Sequence, residues 1–344
     1  MIPQVYFSKN ITEENIEKLS EIIFSKIEKI KGNPKVAIKV HFGEELNTRF
    51  VPPKYIKPIT NSIKKRTKNY FITDTNTLYS GMRSKTNTHM ELANRHGFGK
   101  LESEIIIADS GLENEVKIKT NLPWFDEVGI AKKIAESDMI LGISHFKGHD
   151  MFSFGGTIKN LGMGCSSRSA KLKMHAGIYP PINENCVLCG GCVKICPANA
   201  ISINEEKLII DRNLCLGCGL CIGYCTQKAI EVPWESVVRE ELFEKCAEHA
   251  FGAIFNKKGI YFNYAYNITS KCDCAKDSPI IGEDIGILVS TDPVACDKAA
   301  YDLNFKKNKE DIFLREKGFA GTHIFAYAEK IGLGKTNYRL IKID

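Results

Sequence analysis

Short apolar runs alternate with helical periods along most of the chain. Residues 5–8 (Val5-Tyr6-Phe7-Ser8) predict a first strand. Over residues 12–30 the apolar positions Ile16, Leu19, Ile22, Ile23 and Ile27 recur at helical spacing, and Thr12 with Glu13 and Glu14 behind it is a start signal. Residues 36–40 predict the next strand, Pro52-Pro53 opens a helix running to Lys65, and residues 70–73 predict a third strand. Residues 85–96 read as a helix that stops near Gly97, 105–108 as a strand, 130–137 as a short helix, and 139–143 as a strand. Several of these strands are apolar on both faces. With helices between them, that pattern predicts an α/β fold: a mostly parallel sheet with helices on both faces.

After Ser144 the alternation breaks into a glycine-rich stretch, followed by a cysteine-rich one. Residues 233–253 return to a helix, 259–267 and 285–289 to strands, 293–301 and 321–331 to helices, and 338–343 alternate like an edge strand. The α/β domain is therefore expected to be discontinuous. Its first part spans residues 1–180 and its second part 233–344, with a small α+β unit inserted at 181–232.

Eight of the 13 cysteines fall in that insert, in two copies of one pattern. The first is Cys186-x-x-Cys189-x-x-Cys192-x-x-x-Cys196-Pro197. The second is Cys215-x-x-Cys218-x-x-Cys221-x-x-x-Cys225, with Thr226 in place of proline. This run resembles bacterial-type two-cluster ferredoxins, in which three closely spaced thiolates wrap one 4Fe–4S cluster and the fourth reaches the other. The resemblance implies one cluster on Cys186, Cys189, Cys192 and Cys225, and a second on Cys215, Cys218, Cys221 and Cys196. Zinc also takes four thiolates, but its sites show two separated C-x-x-C pairs rather than triplets followed by C-x-x-x-C. Glycines 190, 191, 217, 219 and 223 suit tight loops and close backbone approach to sulfur. Residues 200–203 and 208–210, flanking Asn204-Glu205-Glu206-Lys207, read as a hairpin.

In open α/β sheets ligands bind outside the carboxyl ends of the strands. The predicted strands end in Lys39, His41 and Glu44; in Asp74-Thr75-Asn76; in Asp109-Ser110-Gly111; in His145, Lys147 and His149; and in Thr291-Asp292-Pro293. Five such ends predict a site. The following stretch, Phe154-Gly155-Gly156-Thr157-Ile158-Lys159-Asn160-Leu161-Gly162-Met163-Gly164-Cys165, offers backbone N–H groups to a ligand, although it is no P-loop. Lys39, Arg83, Lys147 and Lys159 make the pocket attractive to anions. His41, His145 and His149 are the best-placed acid–base groups, whereas His89, His96, His249 and His323 read as ordinary helix or surface residues. Lys171, Lys173 and His175 follow the glycine-rich stretch, and each lysine alone reads as an exposed helix position. Among the remaining cysteines, Cys246 and Cys296 read as core. Cys272-Asp273-Cys274 could bind an additional metal, form a redox pair or hold a substrate by sulfur, with Cys165 a further candidate.

Four segments together resemble the domain-of-unknown-function 362 family: Lys39-Val40-His41-Phe42-Gly43-Glu44, Lys147-Gly148-His149, the Gly155–Cys165 loop, and Ser290-Thr291-Asp292-Pro293-Val294-Ala295-Cys296-Asp297. The resemblance covers essentially the whole chain. It implies an iron–sulfur protein whose members often carry an inserted two-cluster unit. That family is distantly similar to nickel-pincer lactate racemases, which implies a deep cleft between α/β lobes.

Composition narrows the function. The net charge of +6 is spread along the chain without a block of like charges, so nucleic acid is not an expected partner. Residues 183–233 hold five acids and four bases, nearer neutrality than a freely diffusing ferredoxin. No apolar run reaches the length of a membrane span, no signal peptide is expected, and thiolates reserved for clusters suit the cytoplasm of an anaerobically growing cell. The expected function is passage of single electrons through two 4Fe–4S clusters to or from an anionic small molecule or cofactor in the cleft. Lys39, Asp74, Asn76, His145, Lys147, Asn160 and Asp292 would bind it, and His41, His149 and Lys159 would act on it. A non-catalytic electron carrier docking on a partner oxidoreductase is the alternative. A metallochaperone using Cys272 and Cys274 is a third.

Overall fold

The computed structural model describes residues 2–27, 32–111, 114–175, 180–276 and 278–344. Eight strands form one sheet, in the order Arg339–Lys342, Gln4–Ser8, Gly286–Ser290, Lys258–Ala265, Met139–His145, Val36–Lys39, Tyr70–Asp74 and Glu104–Ile107. Gly286–Ser290 runs antiparallel to both of its neighbours, and every other pairing is parallel.

The pleat sends alternate residues to opposite faces, and both faces are covered. Ile38, Leu141 and Phe262 join one core, which holds Ile16, Leu19 and Ile23 of the Glu13–Lys26 helix and Ile56, Ile59 and Ile63 of the Pro53–Lys64 helix. Ala37, Ile140 and Tyr261 face the other core, packed by the Thr157–Gly162, Arg239–Ile254, Pro293–Asn308 and His323–Lys330 helices. Thr12 caps the first helix, its hydroxyl accepting from Asn15 N at 3.2 Å. The far end of the helix predicted over 12–30, Ile30, lies outside the described residues.

Several local expectations are corrected. Ile130 and Ala131 are not helical; they end the Glu127–Ala131 strand, which pairs antiparallel with Glu115–Lys119, and the helix beyond is only Lys132–Ala135. The alternation Val128-Gly129-Ile130 packs one side of that ribbon and outweighs the helical reading. The glycine-rich stretch, where the alternation is expected to break, carries regular elements of its own. It forms a Lys147–His149/Ser153–Gly155 hairpin and the Thr157–Gly162 and Arg168–His175 helices. The Arg339–Lys342 edge strand lies where its alternation placed it.

Residues 181–232 hold two short strands and two short helices. Ile201–Ile203 pairs antiparallel with Leu208–Ile210, and Ile182 bridges Ile230. The two cysteine copies share a backbone pattern: Leu188 and Gly217, Gly190 and Gly219, and Asn199 and Lys228 all have positive φ. Gly190 and Gly219 precede matching short helices, Gly191–Ile195 and Leu220–Tyr224, where the left-handed turn favours a residue without a Cβ. Ile201, Leu208, Ile222, Ile230 and Val232 of this stretch share a small core with Leu78 and Leu172.

Candidate active site

The carboxyl ends of the parallel strands open onto a cavity of about 320 Å³, lined by Lys39, His41, Asp74, His145, Lys147, His149, Lys159 and Asn160 among others. Its walls are buried charge networks, since a charge in the interior needs a partner. One network centres on Asp74. Its carboxylate meets Lys39 Nζ at 2.9 Å, Arg83 Nη1 at 3.1 Å and His89 Nε2 at 3.6 Å. Burial pushes the Asp74 carboxyl up, but the Lys39 ammonium, His89 and Arg83 outweigh it and hold the group well below the usual carboxylate range. Lys39 Nζ also donates to Asn160 Oδ1 at 2.8 Å, and Asn160 Nδ2 donates to Ile143 O and Ser144 Oγ, both at 3.1 Å.

The second network centres on Asp273, which is 1% exposed. Its carboxylate meets Lys147 Nζ at 2.7 Å and His145 Nδ1 at 3.0 Å, while His145 Nε2 faces Tyr266 O at 2.8 Å. Burial would raise this carboxyl too, yet Lys147 and His145 drive it far below its ordinary value. Lys147 is therefore a neutralised strut. Lys159 is different: its ammonium lies 5.5 Å from the Phe152 ring, and no acceptor among the described residues engages it.

The cysteine pair sits on the same wall. Cys274 Sγ stands 3.3 Å from Arg83 Nη2 and 3.5 Å from His41 Nε2. His41 Nδ1 accepts from Gly43 N at 3.0 Å, so in the neutral ring the proton is on Nε2, facing sulfur. Burial, then Arg83, lowers the His41 pKa and favours that neutral ring. The hydrogen bond from Cys272, working against burial and aided by Arg83 and His41, holds the Cys274 thiol well below its usual range; the same bond and burial raise Cys272. Arg83 is tied in turn to Glu44 at 3.1 Å and to Tyr79 Oη at 2.8 Å. His149 Nδ1 accepts from Met151 N at 3.1 Å, which leaves Nε2 as the protonated nitrogen of its neutral ring; burial followed by Lys159 keeps it neutral.

The glycine-rich loop does not offer its N–H groups to a ligand as the sequence suggested. Thr157 N and Ile158 N donate to the buried Asp297 carboxylate at 2.6 and 2.8 Å. A Cβ on Gly156 would meet Asp297 Cγ at 2.9 Å, and one on Gly164 would meet Lys39 Nζ at 2.6 Å. These glycines allow close packing that aims Lys159 and Asn160 into the cavity. Burial lifts the Asp297 carboxyl to about 6.

The Arg168–His175 helix separates this cavity from a second one. Lys171 and His175 line the first. Leu172 lines the second, together with Cys196, Cys215, Cys218 and Cys221. Lys171 Nζ donates to Thr75 Oγ1 and Asn76 O, both at 2.6 Å, and burial lowers its pKa to about 8. Arg168 donates to Thr77 O at 3.1 Å and to Ser84 O; its stem packs on Gly219 and its guanidinium on Gly223. Around the thiols, Ala200 N donates to Cys196 Sγ at 3.3 Å and Ala229 N to Cys225 Sγ at 3.2 Å. Among the described residues, no group of three or more His, Cys, Asp or Glu side chains is arranged to hold a metal ion. A 4Fe–4S cluster brings its own irons and sulfides and needs thiolates around a cavity, and the four cysteines lining the second cavity fit that requirement.

Of the residues expected at the site, Lys39, His41, Asp74, His145, Lys147, His149, Lys159 and Asn160 line one cavity, with Cys272 and Cys274. Asn76 lies behind it, bonded to Asp109 at 2.8 Å through its backbone N–H. Asp292 is elsewhere. Its strand is antiparallel, so it emerges at the opposite edge, where it caps the Pro293–Asn308 helix by accepting from Ala295 N at 2.9 Å. Sequence reasoning missed Asp273 as the organiser of His145 and Lys147, read the buried His89 as ordinary, read Lys171 as an exposed helix position, and gave His175 no role. The four-residue spacing of Lys171 and His175 was the available signal that both share one helix face.

Among solved structures, the chain is similar to a Thermotoga maritima protein determined by the Northeast Structural Genomics Consortium, with 12% identity, TM-score 0.43, 87% of this chain and 59% of that one covered. It is also similar to the lactate racemase apoprotein of Thermoanaerobacterium thermosaccharolyticum, with 16% identity, TM-score 0.36, 75% of this chain and 50% of that one covered. The chain thus spans between half and three fifths of the length of these structures. No curated protein matches it. The family model described as "Domain of unknown function (DUF362)" matches residues 36–302, most of the chain, and the protein belongs to that family.

Proposed function

We propose that this protein is an iron–sulfur redox enzyme in which residues 181–232 form a two-cluster ferredoxin-like insert. Cys215, Cys218, Cys221 and Cys196 would hold one 4Fe–4S cluster, and Cys186, Cys189, Cys192 and Cys225 the other. When bound, these clusters supply or accept single electrons. The observation that carries the reading is the shared wall: Leu172 faces the thiol-lined cavity and Lys171 faces the polar one.

The chain's own residues then bind and polarise. Lys159 attracts an anionic small molecule or cofactor, because no acceptor among the described residues neutralises its charge. Lys39 paired with Asp74, and Lys147 paired with Asp273, hold the walls rigid. His149, held neutral, presents an Nε2–H that hydrogen-bonds the bound anion and stabilises negative charge as it develops. His41 is committed to the Cys274 sulfur and positions it. The open cavity favours an enzyme over a docking subunit whose α/β domain would be filled. The Arg83 guanidinium at 3.3 Å from Cys274 Sγ opposes a further cation there, against the metallochaperone reading.

The test is reoxidation of the reduced, anaerobic protein by a panel of anionic acceptors, followed by visible absorbance. An acceptor that oxidises the natural protein but not Lys159→Met or His149→Gln, with iron content unchanged, supports the reading. Unchanged rates in both variants overturn the cleft assignment.

A further inference from the structure

The sulfur of Cys274 is surrounded by donors. Arg83 Nη2 lies at 3.3 Å and His41 Nε2 at 3.5 Å, and the Gly43 N–H on His41 Nδ1 fixes the tautomer that points Nε2–H at the sulfur. Arg83 has no acceptor capacity, and His41 in this tautomer offers none at Nε2. A thiol proton would find no acceptor on Arg83 or His41 and only the weak sulfur acceptor of Cys272, whereas a thiolate is met by both nitrogen donors and by the Cys272 thiol. Arg83 is itself fixed by Glu44 and Asp74 at 3.1 Å each, so the donor is held in place before any ligand arrives. The same sulfur lines the 320 Å³ cavity together with Lys159, whose ammonium no acceptor among the described residues engages. One cavity therefore holds a stabilised nucleophile and an uncommitted cation.

We propose that Cys274 is a nucleophilic thiolate that attacks the electrophilic carbon of a small carboxylate, with the carboxylate group drawn in by Lys159. This deepens the anion-binding reading of the same site, and its test needs no redox turnover. With iodoacetate as probe, the Cys274 sulfur lone pair forms a bond to the methylene carbon, and the carbon–iodine bond breaks with its electron pair leaving as iodide. No proton and no redox partner are needed.

The experiment treats the full-length, anaerobically purified protein with iodoacetate or, separately, with neutral iodoacetamide. Labelled cysteines are identified by peptide mass spectrometry against time. The expected result is labelling of Cys274 about ten-fold faster than of Cys272, as a thiolate beside a thiol would give. Iodoacetate should be preferred over iodoacetamide, and Lys159→Met should remove that preference while Cys274 still reacts with iodoacetamide. Equal labelling of Cys272 and Cys274, or a Cys274 inert to both reagents, overturns the nucleophile. A preference unchanged in Lys159→Met overturns the carboxylate assignment. Iron and sulfide content, measured on the same samples, reports on the cluster reading independently.

Discussion

Lys171 and Leu172 are neighbours in the chain and face different cavities: Lys171 Nζ donates to Thr75 Oγ1 at 2.6 Å on the polar side, while Leu172 packs among the thiols of the insert. Leu172 is fully buried. Leu172→Ala is expected to lower stability by about 2–5 kcal/mol, the usual range for an emptied leucine site, read as a denaturation midpoint. It should also loosen the insert against the larger domain, seen as faster proteolysis around residues 180–183. An unchanged midpoint would mean that this wall contributes little.

Asp273 joins Lys147 and His145 in the interior. Removing one member of such a set leaves uncompensated charge. Asp273→Asn is expected to cost about 3–5 kcal/mol, measured by the denaturation midpoint at neutral pH. The pH sign follows from the depressed carboxyl. Its folded pKa lies below the unfolded value of 3.8, so its stabilisation is present above that value and is lost as pH falls below it. The natural protein should lose stability on acidification below about pH 4, and the variant should show less of that loss.

Asp297 titrates with the opposite sign. Burial raises its carboxyl from 3.8 to about 6, so the folded protein binds the extra proton and stability falls as pH rises from about 4 through about 6. Asp297→Asn should remove that slope. It should also destabilise by about 1–3 kcal/mol, because its amide cannot accept from Thr157 N, Ile158 N and Asn263 Nδ2 as the carboxylate does. Denaturation midpoints across pH 4–7 check both statements.

Much of this was legible in the sequence. Strand runs such as Met139-Ile140-Leu141 announced a sheet buried on both faces, and the residues after those strands do converge. What failed did so for physical reasons. Asp292 follows an apolar run like the others, but strand direction is set by pairing with Gln4–Ser8 and Lys258–Ala265, which no local pattern encodes. The Gly155-Gly156 pair suggested a ligand loop, yet its following N–H groups are taken by Asp297, well over a hundred residues away. Asp273 was visible only as an acid between two cysteines. Its role needs His145 and Lys147 from another strand end, a relation that exists only in three dimensions.

The two cysteine copies make the proposed cross-ligation testable one residue at a time. Cys196 lines the cavity with Cys215, Cys218 and Cys221 although it belongs to the first copy. Cys196→Ser is expected to leave about half the iron, with loss of the cluster assigned to the second copy. Iron analysis together with electron paramagnetic resonance of the reduced protein reads this. Retention of full iron would break the assignment.

The most direct measurement is the iron, acid-labile sulfide and zinc content of anaerobically purified protein. The account predicts about eight iron and about eight sulfide per chain, with no zinc. Stoichiometric zinc without sulfide would contradict it, because the eight paired cysteines would then hold a structural metal and the shared wall at Lys171 and Leu172 would separate no redox centre from the cavity.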